Sequence, residues 1–205
     1  MKKHIFEISL LISFCLTIAL SLISFEKDCV SIRENVFRLH VVANSNSKED
    51  QELKLYVRDR ILSEFQKLNA DCQTKNQAEK TAEENLSLLK KTAEKAIKEK
   101  GYSYNVDVLI ENCFFPTKTY DNFTLPAGSY DALRILIGSA EGKNWWCVMF
   151  PSLCIPAAQK ETTFSDILSE DELKIINSKP KYEIRFWFVE KFQLMKEKLK
   201  NKTKS

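Results

Sequence analysis

The sequence contains little glycine. Only four glycines occur among its 205 residues. Phosphate-binding loops and dinucleotide-binding turns both require several closely spaced glycines, because the backbone has to approach the phosphates. Neither motif is present, so these nucleotide-binding sites are excluded. We also expect no other cofactor and no small-molecule substrate.

Histidine is scarcer than glycine. There are two histidines, and His4 precedes an apolar N-terminal run, which leaves His40 for the rest of the chain. A Ser/His/Asp or Cys/His arrangement would have to use His40. The cysteines form no C-x-x-C pair, so the usual zinc patterns are absent as well. We expect no metal site and no catalysis. A thiol hydrolase that uses Cys147 with His40 on cell wall or peptide is the alternative.

The charges are nearly balanced. Lys2, Lys3 and Glu7 are the charged residues among the first 25, so 29 basic and 27 acidic residues remain beyond them. Domains that bind nucleic acid carry a marked basic excess, and we expect no nucleic-acid partner. The basic run at residues 196–204 predicts a solvated tail that can touch an anionic membrane surface.

A long apolar run begins the chain. The 18 residues from Ile8 to Phe25 contain no charge, and this length is close to the minimum that spans a hydrocarbon core. The lysines before the run predict a cytoplasmic N-terminus and an exported remainder. Ala19 and Ser21 form an imperfect cleavage site, so residues 1–28 are predicted to be either a signal peptide or a membrane anchor. Residues 30–205 then form one exported domain.

Alternating apolar and polar residues predict strands in the exported part. Residues 36–43 alternate as a strand with one buried face, and residues 105–116 and 133–137 show the same period. The connection from Gly138 to Asn144 is short. It predicts that the strand before it and the strand after it form an antiparallel hairpin.

Apolar residues three or four positions apart predict helices. A capping-box-like sequence at Ser47 begins one helix, whose stripe runs from Leu53 to Leu68. Residues 77–100 predict a second helix that packs on the first as a hairpin and ends at Gly101. The pattern predicts an α+β fold, in which a mostly antiparallel sheet of about four strands packs with the helical hairpin and a C-terminal amphipathic helix. That last helix begins after Pro180, and its apolar stripe is Ile184, Phe188, Phe192, Met195 and Leu199.

The segment from Trp145 to Phe150 has no charged, hydroxyl or carboxamide side chain. Both of its faces must be covered by protein, which is typical of a central strand, and Pro151 ends it. Cys147 and Cys154 lie seven positions apart, and a turn at Pro151 could bring their sulfurs together. Spacing alone leaves buried thiols and a disulfide equally open. The exported location favours the disulfide, although five cysteines beyond the N-terminal run leave at least one unpaired within the chain.

Three blocks of sequence resemble one family. They read FRLHVVANSNSKEDQELK at residues 37–54, FPTKTY with LPAGSYDALRI at 115–135, and GKNWWCVMFPSLC at 142–154. Together they are similar to stage II sporulation protein R, and the resemblance extends from about Val36 to Leu199. Ser152 departs from the family pattern, in which a second proline is common at this position.

The resemblance implies a signalling protein of endospore formation. Members of the family are made in the forespore, exported into the space between the septal membranes, and required for a membrane-embedded aspartic protease to process the sigma-E precursor. A structural scaffold of the septum, anchored through residues 8–25, is a further possibility. We expect the partner surface to comprise the polar loop after the first strand, the adjoining helix positions and the tryptophan segment: Asn44, Ser45, Asn46, Asp50, Lys54, Arg58, Asp59, Trp145 and Trp146.

Overall fold

The computed structural model of the chain describes residues 2–120, 123–151, 163–177 and 183–202. Within these ranges the elements are, in chain order, α1 (Lys2–Glu34), β1 (Phe37–Val42), α2 (Lys48–Leu68), α3 (Lys75–Glu84), α4 (Leu86–Glu99), β2 (Val106–Phe115), β3 (Lys118–Thr119), β4 (Thr124–Leu125), β5 (Gly128–Ile137), β6 (Asn144–Phe150), α5 (Phe164–Ile167), α6 (Glu170–Asn177) and α7 (Glu183–Lys202).

Four strands form one mixed sheet in the order β2–β5–β1–β6. β1 pairs in parallel with β5 and antiparallel with β6, and β5 pairs antiparallel with β2. The short strands β3 and β4 form a separate two-stranded sheet. The predicted α+β fold, with a mostly antiparallel sheet of four strands, is therefore confirmed.

β5 and β6 do not form the predicted hairpin, because β1 lies between them in the sheet. The connection between them passes over the carboxyl end of β1. There the Gly142 N–H donates to the Ala43 carbonyl oxygen at 2.9 Å, and the Glu141 N–H donates to the Asn44 carbonyl oxygen at 3.2 Å. Neighbouring strands are only about 4.8 Å apart. A short connection can therefore lead either to the adjacent strand or across one intervening strand to the strand beyond it.

β1 is buried on both faces. All six of its residues are buried, Arg38 and His40 included. The prediction of one buried face is therefore wrong. The central position predicted for the Trp145 strand is also wrong, because β6 is an edge strand. Aromatic rings surround Arg38 and His40 and give both side chains a protein environment on the second face.

Helices cover both faces of the sheet. One core cluster joins the sheet to α2 and α4 through residues such as Leu39, Val57 and Ile97. The other cluster joins it to α1, α6 and α7 and includes Ile32 and Phe186. The fold is thus a sandwich of three layers. This arrangement explains why β6 is apolar on both faces although it lies at an edge.

α2 begins and packs as its sequence predicts. The Asp50 N–H donates to the Ser47 Oγ at 3.2 Å and caps the helix. The predicted inner stripe is buried from Leu53 to Phe65, and Leu68 is partly buried against the same cluster.

The predicted second helix is divided. α3 ends at Glu84 and α4 begins at Leu86, and the side chain of Asn85 between them donates to the Thr81 carbonyl oxygen at 2.8 Å. Such a local side-chain bond competes with helical hydrogen bonding, and apolar spacing does not reveal it. α4 packs on α2 as predicted. Gly101, with φ of 81°, ends α4.

α1 has two parts. Its side chains up to residue 24 are largely exposed, whereas those of Phe25, Cys29 and Ile32 are buried in the fold. The stretch from His4 to Glu34 is long and apolar enough to cross a membrane by length and composition, with a mean hydropathy of 2.4 over its most apolar window. This agrees with the predicted signal peptide or anchor. The structure adds that the carboxyl end of the same helix belongs to the core.

α7 begins at Glu183, as predicted, but its core-facing side differs from the prediction. Phe188, Phe192, Met195 and Leu199 of the predicted stripe are exposed. The buried residues of α7 are instead Phe186, Val189 and Gln193. Helical spacing identified an apolar face correctly, but it carries no information about which of two apolar faces packs on the sheet.

We expect Gly142→Ala to destabilise the fold by about 1–3 kcal/mol. An added Cβ would overlap the Ser45 carbonyl oxygen and lie 2.8 Å from the Ala43 Cβ, so the connection would have to lift away from β1. Urea unfolding of the full chain in detergent micelles, followed by circular dichroism, measures the loss.

Gly101→Ala is the matched control for this change. A Cβ at Gly101 meets no atom within 4 Å, and its positive φ alone costs about 1 kcal/mol. A loss for Gly142→Ala no larger than that for Gly101→Ala would contradict the close approach of the two loops.

Candidate functional site

Two loops and a helix meet at one end of the sheet. Residues 44–47 follow the carboxyl end of β1, and residues 138–143 follow the carboxyl end of the parallel strand β5. Trp145 of β6 and the α2 residues Arg58 and Asp59 lie beside them. We call this set, residues 44–47 and 138–143 with Arg58, Asp59 and Trp145, the strand-end surface.

Asn44 connects the two loops. Its side-chain oxygen accepts a hydrogen bond from the Ser139 N–H at 3.0 Å, and its backbone oxygen accepts one from the Ser139 Oγ at 2.8 Å. Its amide nitrogen donates to Asp50 Oδ2 at 2.9 Å. Both hydrogen-bonding ends of the Asn44 side chain are therefore used within the fold, and the polar loop is held in one arrangement.

Asp50 and Lys54 lie beneath the strand-end surface and are each 4% exposed. Burial alone would raise the pKa of Asp50, but hydrogen bonds from Ser45, Asn44 and Tyr104 outweigh it and lower that pKa. The Lys54 ammonium donates to the Lys143 carbonyl oxygen at 2.9 Å, and its burial lowers its pKa. Both side chains support the loops from inside.

A charged side chain and an aromatic ring lie next to each other at the side of α2. The Arg58 guanidinium carbon is 4.3 Å from the centroid of the Trp145 ring, and Arg58 Nη2 is 2.6 Å from Asp59 Oδ1. The Asp59 side chain is 61% exposed. A cation over an indole face, paired with a carboxylate, gives this side of the surface a fixed geometry.

Trp145 and Trp146 do not form one surface. Successive residues of a strand point to opposite faces, and Trp145 packs against the α2–α4 cluster whereas Trp146 packs on the α1 side. There the Trp146 ring stacks on His40 with centroids 4.0 Å apart. The expected partner surface included both tryptophans, but the sheet places them on opposite faces.

The structure also separates the two members of the candidate thiol dyad. In the β1–β6 register Leu39 lies opposite Cys147 and His40 lies opposite Trp146. Cys147 belongs to the α2–α4 cluster, whereas His40 packs against Trp146 and Phe115 on the other face. His40 is thus not positioned to act as a base for Cys147.

The cysteines divide into two groups. Among the described residues Cys15, Cys29, Cys72 and Cys113 carry thiols that are not in disulfides, and Cys147 does not belong to this group. Cys154 lies outside the described residues. The pairing of Cys147 with Cys154 therefore stays a prediction.

Sequence reasoning missed the burial of Arg38. Its guanidinium carbon is 4.1 Å from the Phe115 ring centroid and 4.9 Å from that of Tyr130. Arg38 Nε donates to the Cys147 carbonyl oxygen at 3.0 Å, and Arg38 Nη2 donates to the Tyr120 hydroxyl at 2.6 Å. The available signal was an arginine in a strand whose other residues, apart from His40, are apolar, followed along the chain by several aromatic residues.

A second polar region lies at the other end of the sheet, between α1, α7 and the start of β5. It is a cleft of about 630 Å³. Its charged lining residues have both signs: Glu26, Arg33, Glu34, Lys75, Asp131, Lys196 and Glu197. Among the described residues no group of three or more His, Cys, Asp and Glu side chains could hold a metal ion.

His40 should make the stability of the fold depend on pH. Burial lowers its pKa from 6.5 to about 4, against a smaller opposing effect of the hydrogen bond with Asn144 Oδ1 at 2.8 Å. Between these two values the unfolded chain binds the proton and the folded chain does not. The contribution of neutral His40 to the free energy of unfolding is thus complete above pH 6.5 and is lost as the pH falls to about 4. The total loss is about 3 kcal/mol.

The test compares the free energy of unfolding of the wild type with that of His40→Gln between pH 6.5 and about pH 4. The carboxylates titrate in both proteins, so the difference between them isolates the contribution of His40. The wild type should lose about 3 kcal/mol more than the variant on acidification. Parallel pH profiles for the two proteins would show that His40 is protonated as easily in the fold as in water.

The sequence matches one described family. The profile of stage II sporulation protein R matches residues 33–160. Stage II sporulation protein R of Bacillus subtilis (strain 168) is 36% identical to the chain over 129 residues, which are 63% of this chain and 58% of that relative. The match thus spans somewhat more than half the length of the curated relative. No solved structure matches the chain. The chain belongs to the stage II sporulation protein R family.

Proposed function

We propose that this chain is an exported signalling protein of endospore formation. The forespore makes it and exports the fold into the space between the septal membranes, where it activates the membrane-embedded aspartic protease that processes the sigma-E precursor. Family membership supports the link to sporulation. The apolar helix α1, which continues directly into the core of the fold, supports export.

The observation that carries the proposal is that α1 and the strand-end surface lie at opposite ends of the sheet. α1 packs beside the start of β5, where Arg33 Nη1 donates to the Ala127 carbonyl oxygen at 3.0 Å. Asn44 and Gly138 follow the ends of the parallel strands β1 and β5. β1 has six residues, and a strand of this length spans about 20 Å. A membrane at α1 therefore leaves the strand-end surface facing away from it.

The proposed contact uses the accessible part of the strand-end surface. Asn46 and Asp59 are exposed, and Ser45, Arg58 and Trp145 are half-buried. Arginine and tryptophan dominate the binding energy of many interfaces. Asn44, Asp50 and Lys54 support this contact from beneath by fixing the loops, and Trp146 supports β6 from the other face.

Activation in this proposal requires no chemical step by the chain. A binding protein shifts an equilibrium of its partner only by as much as its affinity differs between the two states. The strand-end surface would therefore bind the active arrangement of the protease more tightly than the inactive one. The separation of Cys147 from His40 weighs against the thiol hydrolase as the alternative.

Reconstitution in a bacterium that does not sporulate tests the proposal. The chain, the membrane protease and the sigma-E precursor are expressed together, and an immunoblot follows the precursor. Processing should depend on the chain and persist with His40→Gln. Absence of processing when all three proteins are present, and this chain is exported, would contradict the proposal.

A charge reversal on the strand-end surface should reduce this processing. We expect Asp59→Lys to lower the rate of processing about tenfold, which corresponds to a loss of ~1.4 kcal/mol in binding. Glu84→Lys is the matched control, since Glu84 is 64% exposed on α3 and the substitution changes the charge equally. Equal rates for the two variants, at equal amounts of exported protein, would place the contact elsewhere.

We also propose that Cys147 and Cys154 form a disulfide in the exported protein. A loop of this length should contribute ~2–3 kcal/mol by constraining the unfolded chain. The chain has six cysteines, so alkylation under denaturing conditions without reductant should modify four of them, and all six after reduction. Intact-mass measurement reads the number directly.

Cys154→Ser is the control for the disulfide, because it should leave five thiols that react without reductant. Six modified thiols in every wild-type molecule before reduction would show that the bridge is absent. Three in the variant would show that Cys147 pairs with another cysteine of the chain.

A further inference from the structure

α7 exposes an apolar stripe on the side that faces away from the core. Trp187, Phe188, Phe192 and Met195 are 55%, 48%, 51% and 56% exposed. At 3.6 residues per turn, the last three fall within an arc of about 60°. We call these four residues the α7 stripe. On the opposite side of the helix, Phe186 is buried in the core.

Basic residues lie within and beside the α7 stripe. Helical geometry places Lys191 and Lys198 between Trp187 and the other three stripe residues, and Lys196 beyond Phe192. All three lysines are exposed. Glu190 and Glu197 lie on the opposite side of the helix, toward the fold. Lysines beside an apolar stripe, with the acidic residues turned away, are typical of helices that lie in the interface of an anionic membrane.

α7 crosses α1 at the point where α1 leaves the fold. The ring centroids of Phe186 and Phe25 are 5.4 Å apart, and Gln193 Nε2 donates to Glu26 Oε1 at 2.7 Å. Phe186 and Gln193 are about 10 Å apart along α7, whereas Phe25 and Glu26 are about 1.5 Å apart along α1. The two helices therefore cross steeply. A helix that crosses a membrane span steeply at its exit lies along the membrane surface.

We propose that α7 is a second membrane contact, in which the α7 stripe enters the interfacial layer of the anionic membrane that α1 spans. The rings of Trp187 and Phe188 pack edge to face with centroids 5.1 Å apart, and the Lys191 ammonium lies 5.7 Å from the Trp187 centroid. A tryptophan with an adjacent lysine matches the headgroup level of a bilayer. The contact fixes the fold on the membrane with the strand-end surface pointing away.

The same charges disfavour a second copy of the chain as the occupant. Two stripes packed face to face would bring two lysine-bordered surfaces together, and like charges across an interface oppose association. Anionic lipid headgroups complement these lysines instead.

Quenching by brominated lipids tests the proposal on the full chain. The chain is reconstituted in nanodiscs of phosphatidylcholine and phosphatidylglycerol, with and without bromine on the acyl chains near the headgroups. Trp187 is one of three tryptophans, so with equal yields bromine should remove about one third of the emission through Trp187. Trp187→Phe keeps the stripe apolar and should lose this component. Equal fractional quenching in the wild type and in Trp187→Phe would overturn the proposal.

Matched variants distinguish insertion of the α7 stripe into the membrane from a general effect of substitution on the quenching. Phe188→Ser with Phe192→Ser should abolish the Trp187 component, whereas Leu88→Ser, at a residue 39% exposed on α4, should leave it unchanged. Lys191→Gln with Lys198→Gln should reduce it in anionic discs and leave it unchanged in neutral ones. A different outcome would assign the stripe to an interface between copies of the chain. In that case the discs hold two chains, Trp187 is shielded from acrylamide, and brominated lipids do not quench it. The proposal then fails.

Discussion

The structure depends on the complete burial of β1. Because Arg38 and His40 face the second core, that core has to accept a guanidinium and an imidazole without exposing either. A buried cation that loses its partners costs several kcal/mol. The Arg38 guanidinium is held by Phe115 of β2, by Tyr130 of β5 and by a carbonyl oxygen of β6. One side chain thus connects the central strand to all three other strands of the sheet.

This constraint also sets the positions of the neighbouring elements. A strand buried on both faces needs a helical layer on each side and a paired strand on each edge. α1 supplies part of the second layer, so the apolar N-terminal segment and the folded domain share one helix. The connection from β5 to β6 then has to pass over the end of β1. That passage brings residues 138–143 against residues 44–47 and creates the strand-end surface.

The features that sequence predicted correctly are those that local spacing determines. Ser47 caps α2 and the buried stripe of α2 follows its period, because a helix contains its own hydrogen bonds. The order of the strands could not be predicted in this way. A short connection can join two adjacent strands or two strands that have a third strand between them. The two faces of α7 show the same limit, because both are apolar and only the tertiary contacts of Phe186 decide which is buried.

Only the part of the strand-end surface that local sequence determines was predicted. Polar residues after a strand indicate a loop, and Asn44 to Asn46 were found in this way. The sequence could not show that Asp50 and Lys54 are buried, since a charged residue at a helix start is usually solvated. It could not show that Trp145 and Trp146 face different cores without the register of β6.

The position of the strand-end surface bears on how a small contact could act. Only a few of its side chains are accessible, and so small an area supports a weak interaction in solution. In the proposed arrangement, attachment of the fold to one membrane by α1 and by the α7 stripe would restrict both its distance and its orientation with respect to a partner in the facing membrane. Such restriction raises the effective concentration and lowers the entropy lost on binding. In the proposed arrangement the membrane contacts therefore supply part of the affinity that the surface itself lacks.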